Sequence, residues 1–240
     1  MLAMNKEIEL LYKDEYLLAV NKPSGILSAP DRYDPNAIIA QHELSMEYGQ
    51  LWPVHRLDKD SSGVMLFARD SETHRLLSMA FEEQRIDKTY HAIVSGRPVW
   101  TETSCDLSLS PDGDRMHRTI IDGSGKPSRT DFLVLGCHSR MAILEARPRT
   151  GRTHQIRVHL TALGYPILCD PLYGDGKAVY LSAFKKKWKG DAYTERPLIS
   201  RTALHAVSLS FDHPHNGEKI VIEAPYPKDF KAMLRQLEKM

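Results

Sequence analysis

One acidic side chain, Asp58, lies between cations in a stretch with no regular periodicity. Arg56 precedes it, Lys59 follows it, and the apolar run Val64–Ala68 begins shortly afterwards. A short apolar run bounded by turn residues is typical of a buried strand, so the loop that carries Asp58 leads into the core. A carboxylate in that place can act as a nucleophile or as a general base, provided that it stays ionised.

A basic stretch that contains no acid covers residues 147–159, RPRTGRTHQIRVH. Its glycine and threonines favour a loop that approaches an anion. A helix is predicted from about Thr153 to Leu163, with a core-facing stripe made of Ile156, Leu160 and Leu163. Arg157 lies beside this stripe. The surface is the commonest place for an arginine, but this helix edge also allows an inward-facing one, and we predict that Arg157 pairs with Asp58.

Other kinds of site fit the sequence less well. His154 and His159 are five positions apart and lie on different faces of the predicted helix, unlike the zinc ligands of an HExxH helix. Ser62 and Gly63 lack the GxSxG context of a nucleophilic triad. The sequence has no GxGxxG and no Walker motif, so no metal and no nucleotide cofactor is expected. Asp58 and Asp60 could form a glycosidase-like carboxylate pair. Two close carboxylates repel each other, however, and the basic neighbours favour an anionic substrate.

The composition is that of an ordinary globular protein. The 240 residues include 42% hydrophobic and 26% charged residues, with a formal net charge of +1, so binding to nucleic acid would need local basic patches. A second basic cluster, KKKWK at 185–189, is by itself best interpreted as a solvated face. No apolar run is long enough to span a membrane, and the N-terminus does not resemble a signal peptide. The three cysteines lack CxxC spacing, which argues against disulfides and zinc and favours a reducing cytoplasm.

Strand patterns outnumber helical ones, and many of the strands are joined as hairpins. This predicts an α+β fold with a mainly antiparallel mixed sheet and helices packed on it. The predicted helices cover residues 36–48, about 71–85 after a cap at Asp70 or Ser71, about 153–163, and a C-terminal segment that starts near Pro227. The predicted strands are a pair within residues 8–23, a strand at 64–68, a strand at 88–96, and hairpins at 131–148 and 203–224. Residues 175–200 have weak periodicity and predict a surface insertion.

Five segments resemble the RluA family of pseudouridine synthases, in order and over nearly the whole chain. They are KPSG at 22–25, HRLDKDSSG at 55–63, KTYHAIVSG at 88–96, RTGRTHQIRVHLTALGYPILCDPLYG at 149–174 and LHAVSLSF at 204–211. The resemblance implies a single catalytic domain over residues 1–240 with the pseudouridine synthase fold, in which a bifurcated antiparallel sheet and flanking helices surround a central cleft. Because the pattern starts within the first ten residues, no N-terminal S4 RNA-binding domain is expected.

The resemblance also implies roles for individual residues. By resemblance, Asp58 is the catalytic aspartate, Tyr90 is the active-site tyrosine and Arg157 is the basic partner of the aspartate. Arg56 matches the arginine that helps to hold the place of the flipped nucleotide. Contacts with RNA are expected from Lys22, Arg56, Arg149, Arg152, His154 and Gln155.

The implied reaction is the isomerisation of uridine to pseudouridine in rRNA or tRNA. It breaks the N1–C1′ bond, rotates the uracil and joins C5 to C1′ without redox change, so no cofactor is expected. The target base would be flipped out of its stack, by an enzyme expected to be cytoplasmic and monomeric. Two routes stay open for Asp58, attack as a nucleophile or removal of a sugar proton. The alternative from another class is an RNA-binding protein with the fold and no activity, which the presence of Asp58, Tyr90 and Arg157 argues against.

Overall fold

The computed structural model describes residues 8–30, 37–138, 140–183, 188–191 and 193–238. The chain divides into two compact units. The first unit consists of Met1–Thr89 and His205–Pro225, and the second unit consists of Tyr90–Leu204 and Tyr226–Met240. The single catalytic domain implied by the sequence stays a prediction.

Strands and helices alternate irregularly along the chain. In order they are β1 (Glu9–Lys13), β2 (Leu17–Lys22), α1 (Ala40–Tyr48), β3 (Trp52–Pro53), β4 (Ser62–Ala68), α2 (Ser71–Glu82), β5 (Asp87–Ser95), β6 (Glu102–Cys105), β7 (Leu109–Ser110), β8 (Ile120–Ile121), β9 (Thr130–His138), β10 (Met141–Pro148), α3 (Gln155–Ala162), a short 3-10 helix (Leu181–Ala183), β11 (Leu204–Asp212), β12 (Lys219–Glu223) and α4 (Lys228–Leu237).

Most of the strand pairs are antiparallel. In the first unit β2 pairs with β1 and β4, β3 pairs with β4, and β11 pairs with β12, all antiparallel, whereas β4 and β11 run parallel. In the second unit β10 pairs with β5 and β9, and β9 also pairs with β6. Strands β7 and β8 form a separate two-stranded hairpin. The predicted α+β class with a mainly antiparallel sheet is confirmed.

The core of the first unit is built around β4, all seven residues of which are buried. Leu66 and Ala68 of this strand share one apolar cluster with Leu77 of α2 and Phe211 of β11. Helix α2 is capped at its start by Asp70, whose side chain accepts a hydrogen bond of 2.8 Å from the Thr73 N–H. Of the two caps that the sequence allowed, Asp70 and Ser71, the first is therefore the observed one. A strand covered on both faces needs a continuous apolar run, and residues 64–68 supply it.

The core of the second unit joins β5 and β10 to two helices. Ala92 and Leu144 cluster with Leu160 of α3 and with Phe230 of α4. Helix α4 begins directly after Pro227, which adopts the extended conformation of a residue before a helix. The C-terminal helix and both predicted hairpins, β9–β10 and β11–β12, are therefore confirmed.

Some predicted boundaries differ from the observed ones. Helix α1 begins at Ala40 rather than at residue 36, and Pro35 and Asn36 lie outside the described residues. Strands β3, β6, β7 and β8 were not predicted, because two to four residues are too few to show an alternating pattern. In the stretch 175–200 most of the described residues are exposed, and Lys185, Lys186 and Lys187 lie outside them. Among the described helices, none has the length and hydropathy required to span a bilayer.

Candidate active site

The loop before β4 is fixed through Leu57, the residue next to Asp58. The hydroxyl of Ser28 donates to the Leu57 carbonyl at 2.8 Å and accepts from the Leu57 N–H at 3.0 Å. Ser28 and Leu57 are both buried, whereas Asp58 is half-exposed. One hydroxyl thus satisfies both backbone polar groups of the buried Leu57, and Asp58 is the next residue in the chain.

The KPSG turn holds the other side of Asp58. The N–H of Gly25 donates to the Lys59 carbonyl at 2.7 Å, and the ammonium of Lys22 approaches the same carbonyl at 3.3 Å. Gly25 has a φ of 91°, in the left-handed region that glycine adopts without steric cost. The KPSG turn therefore anchors the loop that carries Asp58.

Lys22 departs from its predicted role in RNA contact. Its residue is 0% exposed, and its ammonium also donates to the carbonyls of Pro23 at 3.1 Å and Ile26 at 2.9 Å. A buried ammonium that is held by carbonyl oxygens does not present its charge to a phosphate backbone. The predicted RNA contact of Lys22 is therefore revised. Its ammonium instead holds the KPSG turn against the loop that carries Asp58.

His55 attaches the start of the same loop to the core strand. Its Nε2 accepts a hydrogen bond of 3.0 Å from the backbone N–H of Leu66, and its ring stacks on Phe81 with centroids 5.1 Å apart. An accepting Nε2 requires the neutral imidazole with its hydrogen on Nδ1. Burial, together with the nearby charge of Lys88, lowers the pKa of His55 to about 3. This supports the interpretation that His55 is structural.

The strand that follows the loop depends on a glycine. Gly63 has a φ of 119°, and a Cβ there would lie 2.1 Å from the Ala206 carbonyl oxygen. The close approach belongs to the parallel pairing of β4 with β11, where the Ser62 hydroxyl also lies 2.9 Å from Nδ1 of His205. Any larger residue at position 63 would force these two strands apart.

We expect stability to depend on pH through His55. The folded state keeps this histidine neutral down to its lowered pKa of about 3, whereas the unfolded state takes up the proton below its ordinary value of 6.5. The unfolded state then binds more protons, so the free energy of unfolding falls as pH falls from 6.5 towards 3, by at most about 1.4 kcal/mol per pH unit. Urea denaturation at several pH values should show a shallower decline for His55→Gln than for the wild type. Parallel curves for the two proteins would contradict this role of His55.

In the second unit, Tyr90 lies on β5 opposite Ala146 of β10. Its ring is half-buried and packs against the apolar cluster of that unit. Side chains alternate across a strand, so Tyr90 shares its face of β5 with the buried Ala92 and Val94. A tyrosine held in this way has a fixed ring with one part left accessible.

Arg157 is buried at the first turn of α3 and has a carboxylate partner that the sequence did not indicate. Its Nε donates to Oδ2 of Asp170 at 2.7 Å, and a terminal nitrogen donates to Oδ1 at 2.8 Å. The side chains of Arg157 and Asp170 are 6% and 0% exposed. The pair is therefore bidentate and shielded from water, the geometry in which the planar guanidinium is most firmly oriented.

The protonation state of Asp170 follows from its partners. Burial by itself would raise the pKa of this carboxyl. The hydrogen bonds and the charge of Arg157, together with the N–H groups of Leu172 and Tyr173, outweigh burial and hold the pKa of Asp170 below its ordinary value. Asp170 is accordingly ionised at neutral pH and balances the buried guanidinium.

Gln155 is engaged within the basic loop rather than exposed to RNA. Its amide oxygen accepts from the Thr150 hydroxyl at 2.7 Å and from the Arg152 N–H at 3.0 Å. Its amide nitrogen donates to the Arg129 carbonyl and to the Thr130 hydroxyl, both at 2.9 Å. Gln155 is only 4% exposed, so its predicted RNA contact is revised. Its four hydrogen bonds instead hold the basic loop in its conformation.

The other predicted RNA contacts have side chains on the surface. Arg56, Arg149 and Arg152 are exposed, and His154 is half-buried. Arg149 donates to Asp131 at 2.7 Å and Arg152 donates to the Pro127 carbonyl at 3.2 Å, so both guanidinium groups are oriented at the surface. Their contact with RNA stays a prediction.

Asp58 belongs to the first unit, whereas Tyr90 and Arg157 belong to the second. The direct ion pair between Asp58 and Arg157 that the sequence predicted stays a prediction. Two positioning residues were missed, Ser28 and Asp170. Asp170 lies within the segment that resembles the family, but nothing in its local pattern distinguishes it from other acids.

A family model described as RNA pseudouridylate synthase matches residues 16–162, which is more than half of the chain. The chain belongs to this family. The RNA pseudouridylate synthase match contains the loop of Asp58, the strand of Tyr90 and the helix of Arg157. The chain is thus an RNA pseudouridine synthase, an isomerase, as the resemblance implied.

Similar pseudouridine synthases cover nearly the whole chain. The uncharacterized RNA pseudouridine synthase YhcT of Bacillus subtilis is 32% identical over 95% of this chain and 72% of its own length. The ribosomal large subunit pseudouridine synthase D of Zymomonas mobilis is 32% identical over 96% of this chain and 73% of its own. The ribosomal large subunit pseudouridine synthase C of Vibrio parahaemolyticus is 35% identical over 98% of this chain and 72% of its own.

Solved structures of pseudouridylate synthases share the fold. Human RNA pseudouridylate synthase domain containing 4 is 26% identical, with a TM-score of 0.73 over 96% of this chain and 93% of that chain. Human RNA pseudouridylate synthase domain containing 1 is also 26% identical, with a TM-score of 0.71 over 95% of this chain and 86% of that chain. The pseudouridine synthase fold implied by the sequence is confirmed.

Proposed function

We propose that this pseudouridine synthase modifies uridine in ribosomal RNA, as a monomer that needs no cofactor, with Asp58 as its catalytic carboxylate. Two of the similar proteins are named ribosomal large subunit pseudouridine synthases, which favours rRNA over the other predicted substrate, tRNA. The roles of Asp58, Tyr90 and Arg157 derive from the segments that resemble the family.

The observation that carries the proposal is the anchoring of the Asp58 loop. Ser28 fixes the backbone of Leu57 on one side of Asp58, and Gly25 fixes the carbonyl of Lys59 on the other. A carboxylate on a loop fixed on both sides needs little reorganisation before reaction, and such preorganisation is a major source of rate enhancement.

The chemistry assigns one task to each residue. The flipped uridine leaves its stack at a cost of about a few kcal/mol, and Asp58 then either attacks C1′ or removes a sugar proton. Arg157 favours the ionised carboxylate through its charge. Tyr90 stacks on the uracil. After C5 has joined C1′, its hydroxyl can accept the C5 proton as it passes its own hydrogen to water, and N1 takes up a proton from water in turn.

The surface arginines complete the proposal. Arg149 and Arg152 lie on the exposed basic loop and Arg56 lies in the Asp58 loop, where guanidinium groups can bind phosphate oxygens in a bidentate manner. We propose that these three side chains hold the RNA backbone beside the flipped nucleotide.

The direct test is tritium release from RNA labelled with [5-³H]uridine. Unmodified transcripts of large subunit rRNA and of a set of tRNAs would be incubated with the enzyme, and the modified positions would be mapped chemically. Release from the rRNA transcript alone is the expected result. Release from tRNA alone would overturn the choice of substrate, and release from neither transcript would contradict the proposed function.

Tyr90→Phe should separate stacking from proton transfer. The phenylalanine ring still stacks on uracil, so binding of the rRNA transcript in a filter assay should change little, whereas turnover should fall by about a hundredfold or more if the hydroxyl moves the proton. Tyr90→Leu removes the ring as well and should weaken binding in addition. Full activity of Tyr90→Phe would leave this tyrosine with a stacking role alone.

A further inference from the structure

Tyr173, which has no role in the proposed mechanism, lies against the buried guanidinium of Arg157. The centre of the guanidinium is 5.0 Å from the centroid of the Tyr173 ring, within the range of a cation–π contact. The Tyr173 N–H also donates to Oδ1 of Asp170 at 3.1 Å. Arg157 is therefore held by an aromatic face and by a bidentate carboxylate, and these two partners are bonded to each other.

The hydroxyl of Tyr173 is fixed by three hydrogen bonds. It accepts from the Thr119 N–H at 2.9 Å, lies 3.1 Å from the Thr119 carbonyl, and lies 3.0 Å from Nδ1 of His154. A phenol has one hydrogen, so donation to the Thr119 carbonyl requires His154 to donate from Nδ1. All of the hydrogen-bonding capacity of this hydroxyl is then used, which leaves the ring little freedom to tilt.

Arg118 gives the segment around Tyr173 a second fixed point. Its guanidinium donates to the Leu172 carbonyl at 2.9 Å and to the Asp114 carboxylate at 2.7 Å. Residues 170–173 are thus attached at several points to the chain that precedes β8.

We propose that Tyr173 is a positioning residue of the reaction, whose ring acts with Asp170 to hold Arg157 in its catalytic orientation. This rests on the proposed function, because it assumes that Arg157 acts on the catalytic carboxylate. An arginine side chain has several rotatable bonds, and a displacement of about 1 Å in a catalytic group can lower the rate by about a hundredfold. A rigid ring and a bidentate carboxylate together remove that freedom.

A pair of variants isolates the ring. Tyr173→Phe and Tyr173→Leu both lose the three hydrogen bonds of the hydroxyl, but only Tyr173→Leu loses the aromatic face below Arg157. With the rRNA transcript as substrate, kcat of Tyr173→Leu should fall about a hundredfold at nearly unchanged KM. Tyr173→Phe keeps the aromatic face and loses only the bonds that limit its tilt, so its kcat should fall much less than that of Tyr173→Leu. The same pair at Tyr165, which packs edge-on against Trp100 at 5.7 Å, should leave kcat unchanged.

Nuclear magnetic resonance supplies a readout that does not require turnover. The Nε–H of Arg157 donates to a buried carboxylate, so it should exchange slowly with solvent, and the adjacent ring should shift its resonance. Tyr173→Leu should remove the ring-induced shift, Tyr173→Phe should keep it, and Asp170→Asn should accelerate exchange. If Tyr173 were only structural, its variants would change the free energy of unfolding but would not show these changes in the Arg157 resonance.

The outcomes separate the two proposals. The positioning role would be overturned if the Arg157 resonance were the same in Tyr173→Leu as in the wild type, or if the phenylalanine and leucine variants had equal kcat values. In that case, an inactive Asp58→Asn would still support the proposed function. Activity of Asp58→Asn, or no turnover of either transcript by the wild type, would overturn the proposed function and with it the catalytic consequence for Tyr173. The resonance would then still decide whether Tyr173 orients Arg157.

Discussion

Asp58→Asn is expected to abolish pseudouridine formation and to leave the fold intact. The amide keeps the shape of the side chain but can neither attack C1′ nor remove a proton, and the loss of such a group lowers rates by about a thousandfold or more. The loop should keep its conformation, because Ser28 and Gly25 bond the backbone around Asp58 and not its carboxylate. Tritium release and filter binding on the same rRNA transcript would show lost turnover with retained binding.

Asp60→Asn is the matched control for this experiment. Asp60 lies in the same loop and is also half-exposed, so it tests whether any loop carboxylate would serve. Its activity should stay close to that of the wild type. Equal losses in the two variants would favour a carboxylate pair, and full activity of Asp58→Asn would remove Asp58 from the mechanism.

Arg157→Met should cost activity and also a large part of the stability. Methionine fills similar space but leaves the carboxylate of Asp170 fully buried without its bidentate partner. Breaking a buried ion pair from one side costs about 3–5 kcal/mol in the free energy of unfolding. Without Arg157, burial would raise the pKa of Asp170. The deficit should therefore be largest above that raised pKa and should shrink as pH falls through it, because the folded variant then takes up a proton that the folded wild type does not.

Two further variants separate stability from catalysis. Arg157→Met with Asp170→Asn removes both charges and should recover part of the lost stability but none of the activity. Arg201→Met breaks another bidentate pair of the second unit, in which Arg201 bonds Asp229 at 2.8 and 3.0 Å, and should reduce stability while sparing turnover. Normal activity of Arg157→Met at a temperature where it is folded would exclude a catalytic role.

The sequence predicted elements whose pattern is local. The apolar run of β4, the N-cap at Asp70 and the hairpin β9–β10 follow from residues that are neighbours in the chain, and each was confirmed. Strands of two to four residues such as β3 and β6 exist because longer strands elsewhere in the chain, β4 and β9, pair with them. Their own residues contain too little information to predict them.

The distinction between local sequence patterns and contacts with distant residues also applies to the candidate site. Asp58 and Arg157 were predicted as site residues because they lie in segments that resemble the family and have unusual charged surroundings. Ser28 and Asp170 were missed because their roles arise from contacts across the fold, Ser28 with Leu57 and Asp170 with Arg157. The burial of Lys22 was also missed, since a lysine in a turn motif gives no indication that carbonyl groups surround its ammonium.

The parallel pairing of β4 with β11 has a consequence for the nascent chain. Ser62 meets His205 from 143 positions further along the chain, so a ribosome that has just released the Asp58 loop has not yet made the strand that completes its sheet. The part of the second unit that precedes β11 also emerges before that strand, and its own core is completed later still by α4. The Asp58 loop therefore gains its final support late in synthesis, and contacts of such long separation are typical of slow folding steps.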